Sequence, residues 1–197
     1  YDHLENILRT RRSACRQAFI VSESIFSMDG DRADLHALIA LKKKYHCNLY
    51  LDEAHAVGVL GNRGLGLAEQ QDAVEGVDLL FGTFGKALGG QGGFVVCSKT
   101  VADYLVNTAR SLIFTTALPP VCLSWISFVL ERIPAMGDDR ERLQRLAEEL
   151  RRQLARQGLT TGGSSHIVPV MIGDSDRAVH LAQALRNRGY WVTAVRP

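Results

Sequence analysis

Short apolar runs recur along the first half of the chain and are separated by longer segments of helical spacing. Gln17-Ala-Phe-Ile-Val21, Leu49 to Leu51, Leu79 to Phe81 and Phe94 to Cys97 read as strands, the first of them buried. Leu4 to Arg12 predicts a short helix with basic residues at its end. Asp34 caps a predicted helix from Leu35 to His46, whose Leu35, Leu38, Ile39 and Leu41 form one apolar stripe. Ser27 to Asp31 is a turn, and the glycine-rich stretch from Gly58 to Gly66 predicts a surface loop. Thr100 to Arg110 reads as a helix. Leu118-Pro119-Pro120 stops that segment and opens another helix, expected to be buried through Val121 to Leu130. Gly137 to Gly158, rich in Glu and Arg, predicts a solvent-facing helix. Beyond it the texture changes: Ile167 to Ile172, a helix from Ser175 to Arg188, and Tyr190 to Val195 predict a β-α-β pattern. Strands alternating with helices argue for an α/β fold with a largely parallel sheet. The change of texture places a domain boundary near Gly137, between residues 1–136 and 137–197.

Composition narrows the function classes. With 197 residues, 46% of them hydrophobic, the chain can bury one sizeable core, or one domain and part of another. A net charge of +2 gives no electrostatic case for nucleic acid or an anionic membrane surface. The run Lys42-Lys43-Lys44 fits the solvated C-terminal end of a helix. Cys15, Cys47, Cys97 and Cys122 form no C-x-x-C pair and are expected to be free thiols of a cytoplasmic protein. The six histidines lack metal-ligand spacing, and His36, His46 and His180 read as solvated or half-buried helix residues. No signal peptide opens the chain, and no apolar run reaches the roughly 18 residues that span a bilayer. The chain starts at Tyr1 rather than Met and stops at Pro197 just after a strand-like run, so a fragment of a longer protein is expected.

Two segments carry chemistry. In Asp78-Leu-Leu-Phe-Gly-Thr-Phe-Gly-Lys86-Ala-Leu-Gly-Gly90 an apolar run breaks into a glycine-rich turn. A lysine held there is rigidly placed and is expected to be partly desolvated, the condition under which its amine becomes a nucleophile. Upstream, Asn48-Leu-Tyr-Leu-Asp52-Glu-Ala-His55 ends a second apolar run in acid. A carboxylate and an imidazole at one strand end, and a lysine at another, point to a single site at a sheet edge. Asp52-Glu53-Ala54-His55 also spells the magnesium-binding strand of a helicase class. That reading needs G-x-x-x-x-G-K-S/T upstream, whereas the Gly85-Lys86 pair follows the acid, with Leu80 and Ala87 at the glycine and hydroxyl positions. Gly61-Asn-Arg-Gly64-Leu-Gly66 is not a dinucleotide fingerprint, and no G-x-S-x-G elbow occurs.

The order Asp52…His55…Thr83-Phe-Gly-Lys86 resembles the α-oxoamine synthases of the pyridoxal 5′-phosphate fold type I superfamily. The resemblance runs over nearly the whole chain. It includes Glu23-Ser-Ile-Phe-Ser27-Met-Asp-Gly30-Asp, Ile113-Phe-Thr115-Thr116-Ala-Leu-Pro119-Pro120 and Tyr190-Trp-Val-Thr-Ala-Val-Arg-Pro197. It implies a large-domain portion of the aspartate aminotransferase-like fold with the start of a smaller α+β C-terminal domain. It implies pyridoxal 5′-phosphate as cofactor, Lys86 as its Schiff-base lysine and later a base, and Asp52 on the pyridine nitrogen. His55 would lie near the phenolic oxygen, with Ser27 approaching the same atom, and Thr83 would serve the phosphate. Thr115 and Thr116 would face a partner subunit's phosphate, which makes a homodimer with its site at the interface the expected assembly. The implied reaction is a decarboxylative condensation of an amino acid, L-alanine, with an acyl thioester of coenzyme A or an acyl carrier, pimeloyl in biotin biosynthesis. Glycine-using members share several of these phrases. Family members are longer at both ends, and the aromatic ring that stacks on the cofactor and the arginine that clamps the substrate carboxylate have no counterpart here. The isolated chain is therefore expected to be a poor enzyme, and a non-catalytic dimerising core is the alternative of a different class.

Overall fold

The computed structural model describes residues 1–195; Arg196 and Pro197, the last two residues of the C-terminal motif, lie outside the described residues. Two compact units form, one from Tyr1–Phe26 with Arg32–Arg142, the other from Ser27–Asp31 with the residues from Leu143 on.

The first unit is built around a four-stranded sheet of order β1-β2-β3-β4, from β1 (Phe19–Glu23), β2 (Asn48–Asp52), β3 (Leu79–Thr83) and β4 (Gly93–Cys97). β1, β2 and β3 are parallel and β4 returns antiparallel to β3, so the sheet is mainly parallel as the alternation of elements predicts. Helix α1 (Asp2–Arg11) precedes β1, and α2 (Leu35–Tyr45) makes the first parallel crossover. The expected cap is present: the Asp34 carboxylate accepts the Ala37 N–H at 3.0 Å. All four residues of the predicted stripe, Leu35, Leu38, Ile39 and Leu41, are buried, and so are Leu49 and Leu51 of β2. At roughly 1.5–3 kcal/mol per fully buried leucine, this contact outweighs any single cap or surface ion pair in fixing helix to sheet. At its C-terminus His46 closes α2 in the left-handed region with φ 50°, and the Arg12 guanidinium donates to the Tyr45 and His46 carbonyls at 2.9 Å each.

Three expectations are corrected in this unit. Lys42 is not a solvated helix end: its side chain is half-buried, donates to the Gly76 carbonyl at 2.9 Å and pairs with Asp78 at 2.7 Å, while Asp78 also accepts the Leu49 N–H. The charge locks α2 to the start of β2 and β3. The 58–66 stretch is only partly a surface loop: Asn62, Arg63 and Leu65 are exposed, but its turns pack inward. Val59, Leu60, Gly64 and Gly66 are buried, because the Glu53 and Glu69 carboxylates collect the backbone N–H groups of Arg63, Leu65, Leu67 and Ala68 and so let the turns pack inward. The glycines permit it. Gly66, with φ +112°, begins the short helix α3 (Leu67–Gln70), and a Cβ there would fall 2.6 Å from the Glu53 Oε2 atom.

After β4 come α4 (Lys99–Thr108), α5 (Arg110–Ile113) and α6 (Pro120–Arg132), the last opened by the predicted proline. The third correction concerns burial. Within α6 only Ile126 is buried, whereas Val121 is 73% and Trp125 47% exposed. The segment is mostly apolar, but a helix presents one stripe to a given neighbour, and α6 meets the cluster of Val57, Leu88 and Ile133 through Val129. Helix α7 (Gly137–Arg156) gives this unit Arg140, a buried guanidinium on the expected solvent-facing helix. It donates to the carbonyls of Asn62, Ile133 and Pro134 and so ties the 58–66 turns to the end of α6.

In the second unit Arg151 of α7 donates to the carbonyls of Gly162, Ser165 and Ile167. The Ser27–Asp31 turn packs here: Gly30, φ +71°, accepts the Ser164 N–H at 3.0 Å, and a Cβ on it would sit 2.5 Å from the Ile167 carbonyl oxygen. Helix α8 (Ser175–Arg186) is capped by Asp174, which accepts the Arg177 N–H at 2.8 Å. The predicted flanking strands do not form. Ile167–Ile172 makes one isolated bridge, Thr161 with Val170, and residues 190–195 form no strand. A strand needs a continued ladder; 167–172 meets its partner only around Thr161, and 190–195 makes no ladder among the described residues, so the apolar run alone does not supply one. Among the described residues no helix is long and apolar enough to cross a membrane.

Candidate functional site

Because β2 and β3 are parallel, their C-terminal ends lie at the same edge of the sheet, with Asp52 the register partner of Phe81. Each end runs straight into a tight turn. After Asp52 the amides of Ala56 and Val57 both donate to the Glu53 carbonyl, at 2.8 and 2.9 Å, and the Glu53 N–H reaches across to the Phe81 carbonyl at 2.8 Å. The Asp52 Oδ1 atom accepts the Ala54 N–H at 2.7 Å, an Asx-type contact that fixes the carboxylate at the mouth of the turn. Beyond β3 the chain loops from Phe84 to Gly92 before β4, closed by Phe84 N–H to the Gly92 carbonyl at 2.9 Å and by Gly90 N–H to the Phe84 carbonyl. Lys86 stands near the tip of this loop.

The two turns meet through their functional side chains: Lys86 Nζ lies 2.7 Å from His55 Nε2. An ammonium has only donors, so it donates, and His55 is then a neutral imidazole with its own hydrogen on Nδ1. Burial lowers the His55 pKa first and the neighbouring Lys86 cation lowers it next, while the Glu23 and Asp52 carboxylates pull the other way. Lys86 itself is exposed, which corrects the expected desolvation. Its placement comes from the imidazole and from the loop that carries it. Replacing Lys86 by Met deletes the cation and should raise the His55 titration midpoint towards the ordinary value of about 6.5, read by NMR of the ring protons. An unchanged midpoint would break the pairing.

The remaining predicted residues are distributed as follows. Thr83 spends its hydroxyl inside the loop, accepting the Gly85 N–H at 3.1 Å and donating to the Gly92 carbonyl at 3.2 Å. Thr115 and Thr116 are exposed beyond α5, with the Thr115 hydroxyl on the Thr116 carbonyl. Ser27 belongs to the turn of the second unit. Sequence reasoning missed Glu53, fully buried with its carboxylate on the Leu67 and Ala68 N–H groups at 3.0 and 2.6 Å, and Glu23, whose charge acts on His55. Both lie inside the motifs that were singled out; the signal was an acid beside or opposite Asp52 at a strand end.

The expected cofactor is an aldehyde on a protonated pyridine ring with a phosphate. Condensation with the aldehyde asks for a primary amine that can shed a proton, and the ring nitrogen asks for a carboxylate. An exposed lysine hydrogen-bonded to an imidazole, with Asp52 anchored at the next strand end, meets both demands.

A sequence model of the family "Aminotransferase class I and II" matches residues 1–197. An 8-amino-7-oxononanoate synthase of Chlorobaculum parvum is 53% identical over 197 residues, covering 100% of this chain and 50% of the relative. Among solved structures, the serine palmitoyltransferase of Sphingomonas wittichii superposes with a TM-score of 0.90 at 30% identity, over 98% of this chain and 50% of that one. An 8-amino-7-oxononanoate synthase from Francisella tularensis superposes with a TM-score of 0.83 at 28% identity, over 96% and 57%. The chain thus spans about half the length of the relatives it matches.

Proposed function

The chain belongs to the aminotransferase class I and II family, and from that premise we propose that it carries the lysine-bearing half of a pyridoxal 5′-phosphate-dependent 8-amino-7-oxononanoate synthase. The proposed reaction joins L-alanine to a pimeloyl thioester, of coenzyme A or a carrier protein, with release of the thiol and carbon dioxide, as a step of biotin biosynthesis. The observation that supports it best is the Lys86–His55 contact of 2.7 Å at the ends of adjoining strands. The 53% identity to a synthase of that name favours this acyl and amino donor over others.

When bound, pyridoxal phosphate supplies an electron sink for charge developing on the amino acid's α-carbon. The chain's own residues would hold it and manage protons. Lys86 Nζ is the attachment point and, once freed, the base that takes the α-proton. Asp52, its Oδ1 already oriented by the Ala54 N–H, holds a proton on the ring nitrogen. His55 orients the ring through a hydrogen bond at the phenolic oxygen. Thr83 and Ser27 are assigned as further cofactor contacts. For Thr83 this means exchanging its bond to the Gly92 carbonyl. Thr115 and Thr116 are assigned to the phosphate of a second subunit, in a homodimer whose site lies at the interface. Residues 1–136 form part of the cofactor-binding domain and 137–197 part of the smaller one in this proposal.

The test is a coupled assay on the polypeptide of the complete reading frame, with L-alanine and pimeloyl-coenzyme A, following free thiol and labelled carbon dioxide. Both are expected in equal amounts and only with pyridoxal phosphate. Thiol release with glycine or serine but not alanine would reject the assigned donor, and release of neither product with any of the three would reject the proposed reaction.

A further inference from the structure

Charged groups on three elements act on His55, and one of them, Lys86, touches it. Lys86 comes from the loop after β3, Asp52 from the end of β2, and Glu23 from the end of β1. β1 and β2 are parallel, and Glu23 is the register partner of Asp52. Paired residues of a parallel ladder project from the same face, so the two carboxylates rise side by side from one edge of the sheet. Asp52 is already committed: one oxygen takes the Ala54 N–H, and the proposed function gives it the ring nitrogen.

The lysine must lose a proton before its amine can attack a carbonyl. The hydrogen bond from Nζ to Nε2 is a ready path. Transfer breaks an N–H bond on Lys86 and forms one on His55, the positive charge moves from ammonium to imidazolium, and the pair neither gains nor loses a proton. Burial of the ring and the lysine's own charge oppose an imidazolium. Both carboxylates, Glu23 and Asp52, favour it, and Glu23 is the one with no other role assigned in the proposed function.

We propose that Glu23 is a positioning residue of this site: its carboxylate, opposite Asp52 across the β1–β2 ladder, stabilises His55 as the acceptor of the Lys86 proton. The inference deepens the proposed function, resting on Lys86 as its nucleophile, but the proton pair exists in the protein without cofactor and is tested there. It can therefore fail while the coupled assay succeeds, and the reverse.

The experiment is an NMR titration of the ring protons of His55, identified by their loss in His55→Asn. In Glu23→Gln the His55 midpoint should fall below that of the wild type. In Glu23→Asp, which keeps the charge, it should return towards it. A Gln variant that titrates like the wild type overturns the proposal, and so does an Asp variant displaced as far as the Gln one, because then packing rather than charge is at work. A second reading needs no substitution. In the wild type the carboxyl carbon of Glu23 should show an inflection at the pH where His55 titrates, since coupling between two sites is reciprocal. A flat Glu23 trace through that pH overturns the proposal even if either variant does not fold.

Discussion

Lys86→Ala should abolish the borohydride-stable adduct that pyridoxal phosphate leaves on the peptide containing residue 86, and should lower thiol release by about 10³-fold or more. Two losses combine. The amine proposed to anchor the cofactor would be gone, and so would the base proposed for the α-carbon. Adding a small primary amine such as ethylamine should restore part of the rate, because it returns a base without the tether. The alanine variant should stay as stable as the wild type, since Lys86 is exposed and contributes no packing. Peptide mapping after reduction, in the wild type and the variant, checks the first claim, and urea unfolding checks the last. An adduct that persists on another lysine in Lys86→Ala would remove Lys86 from its assigned role.

The second large effect is on stability. Glu53→Ala should cost about 3 kcal/mol. The carboxylate is fully buried and accepts the Leu67 and Ala68 N–H groups. Alanine leaves both N–H groups without a partner in the space below Gly66. Glu53→Gln keeps one acceptor and should cost less. The pH dependence carries its own signature. Burial raises the Glu53 pKa, and the neighbouring Asp52 adds to that, against the lowering by its hydrogen bonds. A carboxyl with a raised folded-state pKa contributes fully below its unfolded value, about 4.3, and loses that contribution as pH rises through the folded value. The stability of the wild type should therefore decline over that window, and Glu53→Gln should flatten this part of the curve. Urea midpoints measured from pH 4 to 7 decide it, and parallel curves for the two proteins would refute the assignment.

Much of the first unit was legible from spacing alone. The Leu35–Leu41 stripe, the Asp34 cap and the four strands follow from local periodicity, and each is a local consequence of backbone geometry. What spacing could not convey is which faces find neighbours. Val121–Leu130 is as apolar as a core helix, yet a helix buries only the side that something covers. Ile167–Ile172 has the composition of a strand and lacks a ladder. Lys42, Glu53 and Arg140 look like ordinary surface charges until the fold brings carbonyls and amides to meet them. For the site, the pairing of Lys86 with His55 was implied by a strand end on either side. The exposure of the lysine was not, because exposure is set by what packs around the loop rather than by any residue in the motif.

The loop that carries Lys86 is closed by hydrogen bonds of its own and held from outside at Leu88. Thr83 joins its two arms, Gly90 reaches back to Phe84, and two residues beyond the lysine Leu88 is driven into the Val57–Ile133 cluster while the Trp125 indole holds its carbonyl at 3.2 Å. The backbone under the lysine is thus moored, while its exposed four-carbon stem is held only at its tip, by His55. Any journey of the amine away from His55 and back is a change of side-chain rotamers, on the picosecond-to-nanosecond scale of exposed side chains, and requires no opening of the loop. The arm swings from a fixed pivot, so the distance it can sweep is set by the length of a lysine and not by the compliance of the protein.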